Sequence, residues 1–437
     1  MNTAIDSPSQ AFFSDEEVPL LRRRILGWFS RNGRDLPWRR TRDPYAVWVS
    51  EIMLQQTTTE TVSGYFAPFL RRFPTIRALA EADLAEVLRC WEGLGYYRRA
   101  RLLHRAAGEI VEKYGGVFPA DRRQVEKLPG FGRYTTGAVL SFAFDRREPI
   151  LEANTTRLHA RLLAVEGDLA RKENSAVLWD FAKRILPVRA SGRFNQALID
   201  LGRLICRPKT PLCGECPCAA LCRAARCGWQ NEIPSPKKRP VIENRTEVAF
   251  LIPRSVLTSG KRETFLFIRY PEHCRWGGLW DFPRFLREGE GAAANERLTE
   301  LLQLFLGSDG VRPADEITRM LHSVTRYRIT LLLRGTAGRV PKGVPSFFRT
   351  AGPSAAHAKV VIPFAGGAAP LDALEYRWLS LHQAEKIPLS STGRELLRRL
   401  AASYAFPSLP AAATKPADST RKSHPKRSSF HDERSLR

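Results

Sequence analysis

The sequence predicts a multidomain protein in which an all-α domain is followed by an α+β domain. Its 437 residues exceed the usual size of a single domain. Residues 21–228 repeat apolar side chains at helical spacing, whereas segments beyond residue 246 have the alternation and β-branched content of strands. The composition, 43% hydrophobic and 26% charged, is that of a packed globular protein, and no stretch has the roughly 18 apolar residues of a membrane span.

The predicted organisation has five parts. An acidic N-terminal segment lacks the charge and apolar pattern of a secretory signal. In chain order, the parts are the N-terminal segment at 1–20, the helical domain at 21–228, a proline-containing linker at 229–245, the α+β domain at 246–403 and a basic tail at 404–437. The Ser, Pro, Lys and Arg content of the tail predicts disorder. We expect a cytoplasmic, nucleoid-associated protein without a membrane partner.

The individual elements are predicted from the spacing of apolar residues and from the Pro and Gly residues that interrupt it. Ser14 and Glu17 form a capping box before the amphipathic run 18–29. Further helices are predicted at 61–73, 84–91, 100–114, 136–144, 157–165 and 175–186, with breaks at Pro or Gly. In the second domain, strands are predicted at 246–253, 263–270, 325–337 and 374–381, and helices at 294–306 and 392–404.

The formal net charge of +24 lies mainly in a part of the chain that can fold. Residues 21–228 account for +15 of it. A basic globular domain favours a polyanionic partner, with nucleic acid as the first candidate. The alternative is that the charge serves solubility alone.

Six of the eight cysteines lie between residues 206 and 227, and four of them form a regular series. Cys206, Cys213, Cys216 and Cys222 are separated by six, two and five residues. Dense cysteines in a chain without a secretory signal favour metal ligation over disulfides. Four thiolates can hold zinc or a [4Fe–4S] cluster, and both remain open on spacing alone. Cys218 and Cys227 fall outside the series.

Residues 128–138, LPGFGRYTTGA, predict a tight turn before a helix. Gly130 and Gly132 would let the chain turn and present backbone N–H groups at the helix N-terminus, where the dipole favours an anion. A helix–hairpin–helix grips a DNA phosphate in this way, without reading base sequence. A plain corner between two helices is the alternative.

Glu51 is a carboxylate within the apolar segment 47–54, VWVSEIML. Burial raises the pKa of a carboxyl group and keeps it protonated, which suits a general acid. The competing interpretation is an ordinary carboxylate on a helix surface.

Three segments carry a resemblance to a known family: 36–62, 91–104 and 194–206. Together with the hairpin, the cysteine series and 276–283 (WGGLWDFP), they closely resemble the A/G-specific adenine DNA glycosylases of the endonuclease III superfamily, collinearly over about 21–400. The resemblance implies a helix–hairpin–helix glycosylase domain, one [4Fe–4S] cluster on the four series cysteines, and a monomer that acts on duplex DNA.

The resemblance also implies roles for four catalytic residues. Glu51 would protonate adenine and later act as base for water, and Glu152 would stabilise the sugar cation. The family has Asp-Gly where this chain has Glu152-Ala153, so we expect the backbone to adjust for the extra methylene. Tyr134 stands where related lyases carry the Lys that forms an imine, which predicts a monofunctional enzyme. Tyr134 and Asn154 would position the departing base and sugar.

Other positions would contact DNA. By resemblance, Trp38, Arg39 and Gln196 would lie near an extruded adenine, and Leu54 with Gln56 would enter the stack beside the opposite base. For Trp38 and Leu54, an ordinary place in the core is the alternative.

The second domain resembles the Nudix-like part of the family, which recognises 8-oxoguanine. The glutamate pairs of a metal-binding Nudix box are missing after Gly291, so pyrophosphatase activity is not expected. Bacterial members carry a Phe-Ser-His triplet where this chain has Val324, Thr325 and Arg326. Thr325 is expected to offer the remaining hydroxyl to the lesion.

The predicted function is hydrolysis of the N-glycosidic bond of adenine mispaired with 8-oxoguanine or guanine in duplex DNA. Two alternatives stay open. One is a glycosylase of the same superfamily with another base specificity, and the other is a non-catalytic lesion-binding protein, suggested by Glu152 in place of the family aspartate.

Overall fold

The structure, a computed structural model, describes residues 13–235, 241–254, 263–338, 340, 361–365, 367–370 and 374–403. The predicted tail at 404–437, the first twelve residues of the N-terminal segment and part of the linker lie outside the described residues.

The first domain is all-α, as predicted. Its helices are α1 (Glu17–Asn32), α2 (Pro44–Leu54), α3 (Thr59–Arg72), α4 (Ile76–Ala80), α5 (Leu84–Cys90), α6 (Arg98–Tyr114), α7 (Arg122–Val125), α8 (Arg133–Phe144), α9 (Ala153–Leu163), α10 (Lys172–Ile185), α11 (Ser191–Leu204) and α12 (Arg223–Cys227). The predicted capping box forms, with Ser14 and Glu17 each accepting a backbone N–H of the other. Helix α1 therefore begins four residues before the predicted boundary at 21.

The second domain is α+β, as predicted. Its strands are β1 (Glu243–Leu251), β2 (Phe265–Arg269), β3 (Trp280–Asp281), β4 (Arg284–Arg287), β5 (Arg312–Val324), β6 (Tyr327–Ala337), β7 (Val361–Phe364), β8 (Gly367–Pro370) and β9 (Glu375–Leu379), and its helices are α13 (Gly291–Leu306), α14 (Leu381–Ala384) and α15 (Ser391–Ser403). They form a six-stranded sheet, β5-β6-β1-β4-β7-β8, and a three-stranded sheet, β3-β2-β9. Strand β1 starts inside the predicted linker because Glu243 already pairs with Tyr327 of β6.

The helical domain buries its apolar stripes in two clusters. Helices α2 to α8 supply one of them. Helices α1, α9, α10 and α11 supply the other, together with the segment 206–222 that carries the cysteine series, here called the cysteine loop. Helix α2 is buried on all sides, because nine successive residues from Tyr45 to Met53 are shielded from solvent. Asp43 caps this helix and Pro44 occupies its first turn. A carboxylate at position 51 is therefore carried into the interior.

The second domain packs against α5 and α6. Arg394 of α15 forms a two-pronged ion pair with Glu92, at 2.7 and 2.9 Å. Arg101 of α6 donates a hydrogen bond to the carbonyl of Gly277. Buried side chains of both domains belong to one apolar cluster, so the two domains pack against each other in addition to being joined by the linker. In the described part of the chain, none of the helices is long and apolar enough to cross a bilayer.

Candidate active site

A cavity of about 620 Å³ lies between the two helical clusters. This volume is in the range typical of small-molecule and cofactor sites. Nine residues predicted for the site line it: Trp38, Arg39, Glu51, Leu54, Gln56, Tyr134, Glu152, Asn154 and Gln196. They come from a 3-10 turn at Pro37–Arg39 and from α2, α8, α9 and α11, so the fold assembles them from distant parts of the sequence.

Glu51 is the buried acid of this cavity. Burial raises its pKa to about 7, and the charge of Glu152 adds to the rise. A hydrogen bond from Tyr134 and the positive charge of Arg39 act in the opposite direction. The group can therefore hold a proton near neutral pH and release it to a nearby base, as a general acid must.

Tyr134 contacts Glu51 directly. Its hydroxyl donates a 2.8 Å hydrogen bond to Glu51 Oε2. Burial, followed by the negative charges of Glu51 and Glu152, raises the pKa of the phenol well above its usual value. Tyr134 thus remains a neutral donor and cannot take the place of a lysine nucleophile.

Glu152 is the N-cap of α9. Its Oε1 accepts hydrogen bonds from the backbone N–H groups of Asn154 and Thr155, at 2.9 and 2.8 Å. Burial raises the pKa of Glu152, although these bonds partly offset the effect. The Glu152 side chain folds back onto the first turn of the helix, where an anion is favoured. Ala153 is the first residue of α9, and the expected backbone adjustment stays a prediction.

Asn154 links Glu152 to the cysteine loop. Its Nδ2 donates to Glu152 Oε2 at 3.0 Å, and its Oδ1 accepts from Arg157 Nη2 at 3.0 Å. Arg157 Nε in turn donates to the carbonyl of Cys206 at 2.8 Å. Because Arg157 can only donate, it fixes which end of the Asn154 amide faces Glu152.

The segment after α2 forms the edge of the cavity. Leu54 ends the helix half-buried, and Gln56 is exposed in a left-handed backbone conformation, with φ of 56°. The buried Arg99 guanidinium donates to the carbonyls of Ile52 and Met53, at 2.8 and 2.9 Å, and to that of Gln55. It thereby satisfies carbonyls that a helix end leaves without partners and holds the segment in place.

Trp38 is both core and cavity wall. It is buried and packs edge-on against Phe66, yet its side chain also lines the cavity. A place in the core and a place beside an extruded base, the two interpretations of Trp38, are therefore compatible. Arg39 follows it in the same turn, and Gln196 lines the cavity from α11.

The hairpin leads into α8, as the sequence predicts. Gly130 has a φ of +82°, which a glycine adopts without strain. Gly132 differs from the expectation: its φ is −90° and it is the N-cap of the helix. A Cβ there would meet nothing within 4 Å, so the turn does not require a glycine at this position and the space around it is open.

The four cysteines of the series line one common cavity, next to Leu158 and Arg161. Cys218 is buried outside that lining, where its side chain contacts Cys216, and Cys227 is exposed. Within the described ranges, no three His, Cys, Asp or Glu side chains are placed to share a single metal ion. Thiolates of this number can hold either a zinc ion or a [4Fe–4S] cluster.

Thr325 lies apart from the cavity. It occupies the exposed turn between β5 and β6 with a φ of 55°, in the second domain. Its neighbour Arg326 pairs with Glu243 at 3.1 Å and donates to the Tyr327 hydroxyl at 3.1 Å.

Two residues of the site were missed by the sequence analysis. Arg99 holds the edge segment, and the buried Asp200 holds Arg39 by hydrogen bonds of 2.7 and 3.0 Å. Asp200 is a charged residue inside an apolar helical pattern, and such a residue requires a partner when buried. That signal could have identified Asp200, whereas Arg99 stands among other arginines at the start of α6 and carries no such signal.

Comparisons with known proteins show which families this chain is similar to. Residues 49–184, which contain Glu51, Tyr134 and Glu152, match the HhH-GPD superfamily of base excision DNA repair proteins. The chain is 32% identical over 369 residues to the adenine DNA glycosylase of Rattus norvegicus, covering 74% of this chain and 72% of that one. It is 36% identical over 268 residues to that of Buchnera aphidicola subsp. Baizongia pistaciae, covering 61% of this chain and 74% of that one.

Among solved structures, it is similar to a thermostable thymine-DNA glycosylase, with 29% identity and a TM-score of 0.46 over 48% of this chain and 98% of the other. Family assignment rests on the sequence relatives, which match 74% and 61% of this chain. The chain belongs to the adenine DNA glycosylase family.

Proposed function

We propose that the cavity hydrolyses the N-glycosidic bond of adenine mispaired with 8-oxoguanine or guanine in duplex DNA. The observation that carries the proposal is the Tyr134–Glu51 hydrogen bond in a cavity that also contains the Glu152 carboxylate. Adenine leaves a sugar poorly unless it is protonated, and the sugar becomes cationic as it departs. The cavity offers one acid with a pKa near 7 and one carboxylate held at a helix N-terminus.

The reaction divides between these two groups. Protonated Glu51 gives its proton to N7 of the extruded adenine, and the electron pair of the C1′–N9 bond leaves with the base. Glu152 stabilises the resulting oxocarbenium ion. Water then attacks C1′ and gives a proton to the Glu51 carboxylate, which restores the acid. Tyr134 keeps the Glu51 carboxyl oriented through its hydrogen bond.

The absence of a lysine at position 134 supports a monofunctional glycosylase. Without an imine to the sugar, the chain would leave an intact strand with an abasic site. Strand breaks are therefore expected only after alkali, which distinguishes hydrolysis from lyase activity.

DNA binding is assigned to four features outside the chemistry. The open N-terminus of α8 at Gly132 would accept a backbone phosphate. Trp38, Arg39 and Gln196 would receive the base, and Leu54 with Gln56 would fill the gap in the stack. The α+β domain is proposed to be Nudix-like and to meet the opposite base at the β5–β6 turn through Thr325. The protein would act as a monomer on nucleoid DNA in the cytoplasm.

The four series cysteines are proposed to hold one [4Fe–4S] cluster. Their convergence on one cavity supports this assignment. The cluster would supply a rigid cross-link of the loop that carries Cys206, whose carbonyl holds Arg157 and, through Asn154, the Glu152 cap.

The test uses end-labelled duplexes bearing adenine opposite 8-oxoguanine, adenine opposite guanine, or thymine opposite guanine. Breaks at adenine that appear only after alkali support the proposal. Breaks at thymine instead would assign another base specificity. Retarded duplex without breaks would indicate a lesion-binding protein.

A further inference from the structure

Asp200 of α11 is a fully buried carboxylate that holds two arginines. Its oxygens accept from the backbone N–H and Nε of Arg34, at 3.0 and 2.9 Å. They also accept from Nη1 and Nη2 of Arg39, at 2.7 and 3.0 Å. Burial raises the pKa of Asp200, but the hydrogen bonds and charges of the two arginines outweigh it and the net pKa is lowered. The carboxylate is therefore ionised when folded.

The pairing fixes the orientation of Arg39. Two parallel N–H donors on one carboxylate define the plane of the guanidinium, which a single hydrogen bond would not do. Arg39 Nη1 donates as well to the carbonyl of Arg34, at 3.3 Å. Both arginines line the cavity, whereas Asp200 is not part of its described lining. Asp200 therefore contacts the cavity through these two arginines.

The position of Arg39 affects the acid of the site. Charged and titratable groups around Glu51 are Tyr134 from α8, Glu152 at the start of α9, and Arg39 from the turn before α2. Arg34 and Arg203 line the cavity too. Among these groups, Arg39 contributes a positive charge that is partly neutralised by Asp200.

We propose that Asp200 is a positioning residue that holds Arg39 away from direct pairing with Glu51, and thereby keeps Glu51 protonated at neutral pH. The inference rests on the proposed function, since it concerns the same acid. Without the Asp200 charge, the guanidinium would lose the carboxylate that accepts its two hydrogen bonds. The carboxylates in the described cavity lining are Glu51 and Glu152. Pairing with Glu51 would favour the ionised form, which cannot protonate adenine.

The test compares pH profiles of single-turnover adenine release from a duplex with adenine opposite 8-oxoguanine. Asp200→Asn keeps the shape of the side chain and removes its charge. We expect the midpoint of the alkaline fall to move down by about one pH unit, so that release above it is about tenfold slower. Asp145→Asn is the matched control: Asp145 accepts from the backbone N–H groups of Ala190 and Gly192 and is not part of the described cavity lining.

The outcomes distinguish a failure of the inference about Asp200 from a failure of the proposed function. A folded Asp200→Asn protein with the wild-type midpoint would overturn the inference, as would an equal shift in Asp145→Asn. If Asp200→Asn does not fold, Arg39→Lys tests the same contact by changing its donor. Lysine keeps the positive charge but cannot donate the two parallel hydrogen bonds of a guanidinium. Its midpoint must also move down, and an unchanged midpoint contradicts the inference. A wild-type protein that releases no adenine at any pH rejects the proposed function instead.

Discussion

The hydroxyl of Tyr134 donates a 2.8 Å hydrogen bond to Oε2 of Glu51, joining α8 to α2 inside the cavity. Glu51 is buried, and Tyr134 is partly buried beside it. The bond stabilises the ionised form of Glu51 and holds its pKa below the value that burial alone would give. Tyr134 therefore tunes the acid at the same time as it orients it.

Tyr134→Phe is expected to raise the pKa of Glu51. The alkaline fall of single-turnover adenine release should then move to higher pH, opposite to the shift expected for Asp200→Asn. Tyr45→Phe is a suitable control, because the buried Tyr45 hydroxyl donates only to the carbonyl of Phe73, away from the described cavity lining. A Tyr134→Phe profile that superimposes on the wild type contradicts the assigned contact.

Glu51→Gln is expected to stabilise the protein at alkaline pH. The folded-state pKa is about 7, above the ordinary value of 4.5, so the folded state binds a proton that the unfolded state has lost. Stability therefore falls as pH rises between these values. Gln cannot ionise, and its advantage in the free energy of unfolding should be about 2 kcal/mol larger at pH 8.5 than at pH 5. Denaturant unfolding at both pH values measures it, and an equal effect at the two would count against a buried, protonated Glu51.

Glu152→Gln should abolish adenine release, whereas Glu152→Asp should retain it. Gln removes the charge that stabilises the sugar cation, while Asp keeps the charge and is a favoured N-cap residue. Single-turnover release from a mispaired duplex distinguishes the two variants, with thermal melting to verify that α9 remains folded. Intact release by Glu152→Gln would remove Glu152 from the mechanism.

The Glu92–Arg394 ion pair should contribute to the docking of the two domains. Its side chains are partly buried, so we expect a coupling free energy of about 1 kcal/mol from a double-mutant cycle with Glu92→Gln and Arg394→Gln. Denaturant unfolding supplies the four stabilities. The surface pair Lys113–Glu109, within α6, offers a control cycle in which the coupling should be smaller. Additive effects of Glu92→Gln and Arg394→Gln would show that the contact does not support docking.

Most elements of the fold could be predicted because their patterns are local. The apolar periodicity of α6 and α10, and the apolar run of β6 with its aromatic and β-branched residues, indicate helix and strand without reference to the rest of the chain. Strand β5 was missed because it is an edge strand, exposed along most of its length, so its apolar residues do not alternate cleanly. The short β3 and β4 have too few residues for any pattern.

The site could be predicted in part. Glu51 and the cysteine series stand out by residue type and spacing, and the family resemblance extended the set to Glu152 and Gln196. What the sequence could not supply was the pairing between distant segments. Asp200 and Arg39 are separated by 161 positions, and their contact depends on how α11 packs beside the turn before α2. The side-chain fold of Glu152 onto its own helix likewise depends on the backbone geometry of the α9 N-terminus.

The central claim is that a buried, protonated Glu51 releases adenine, and its most direct test is the rate of single-turnover adenine release against pH for wild type and Glu51→Gln. We expect a wild-type rate that falls as pH rises through about 7, the folded-state pKa of Glu51, and no release by Glu51→Gln at any pH. A wild-type rate that rises through this range, or release by Glu51→Gln at the wild-type rate, would contradict it.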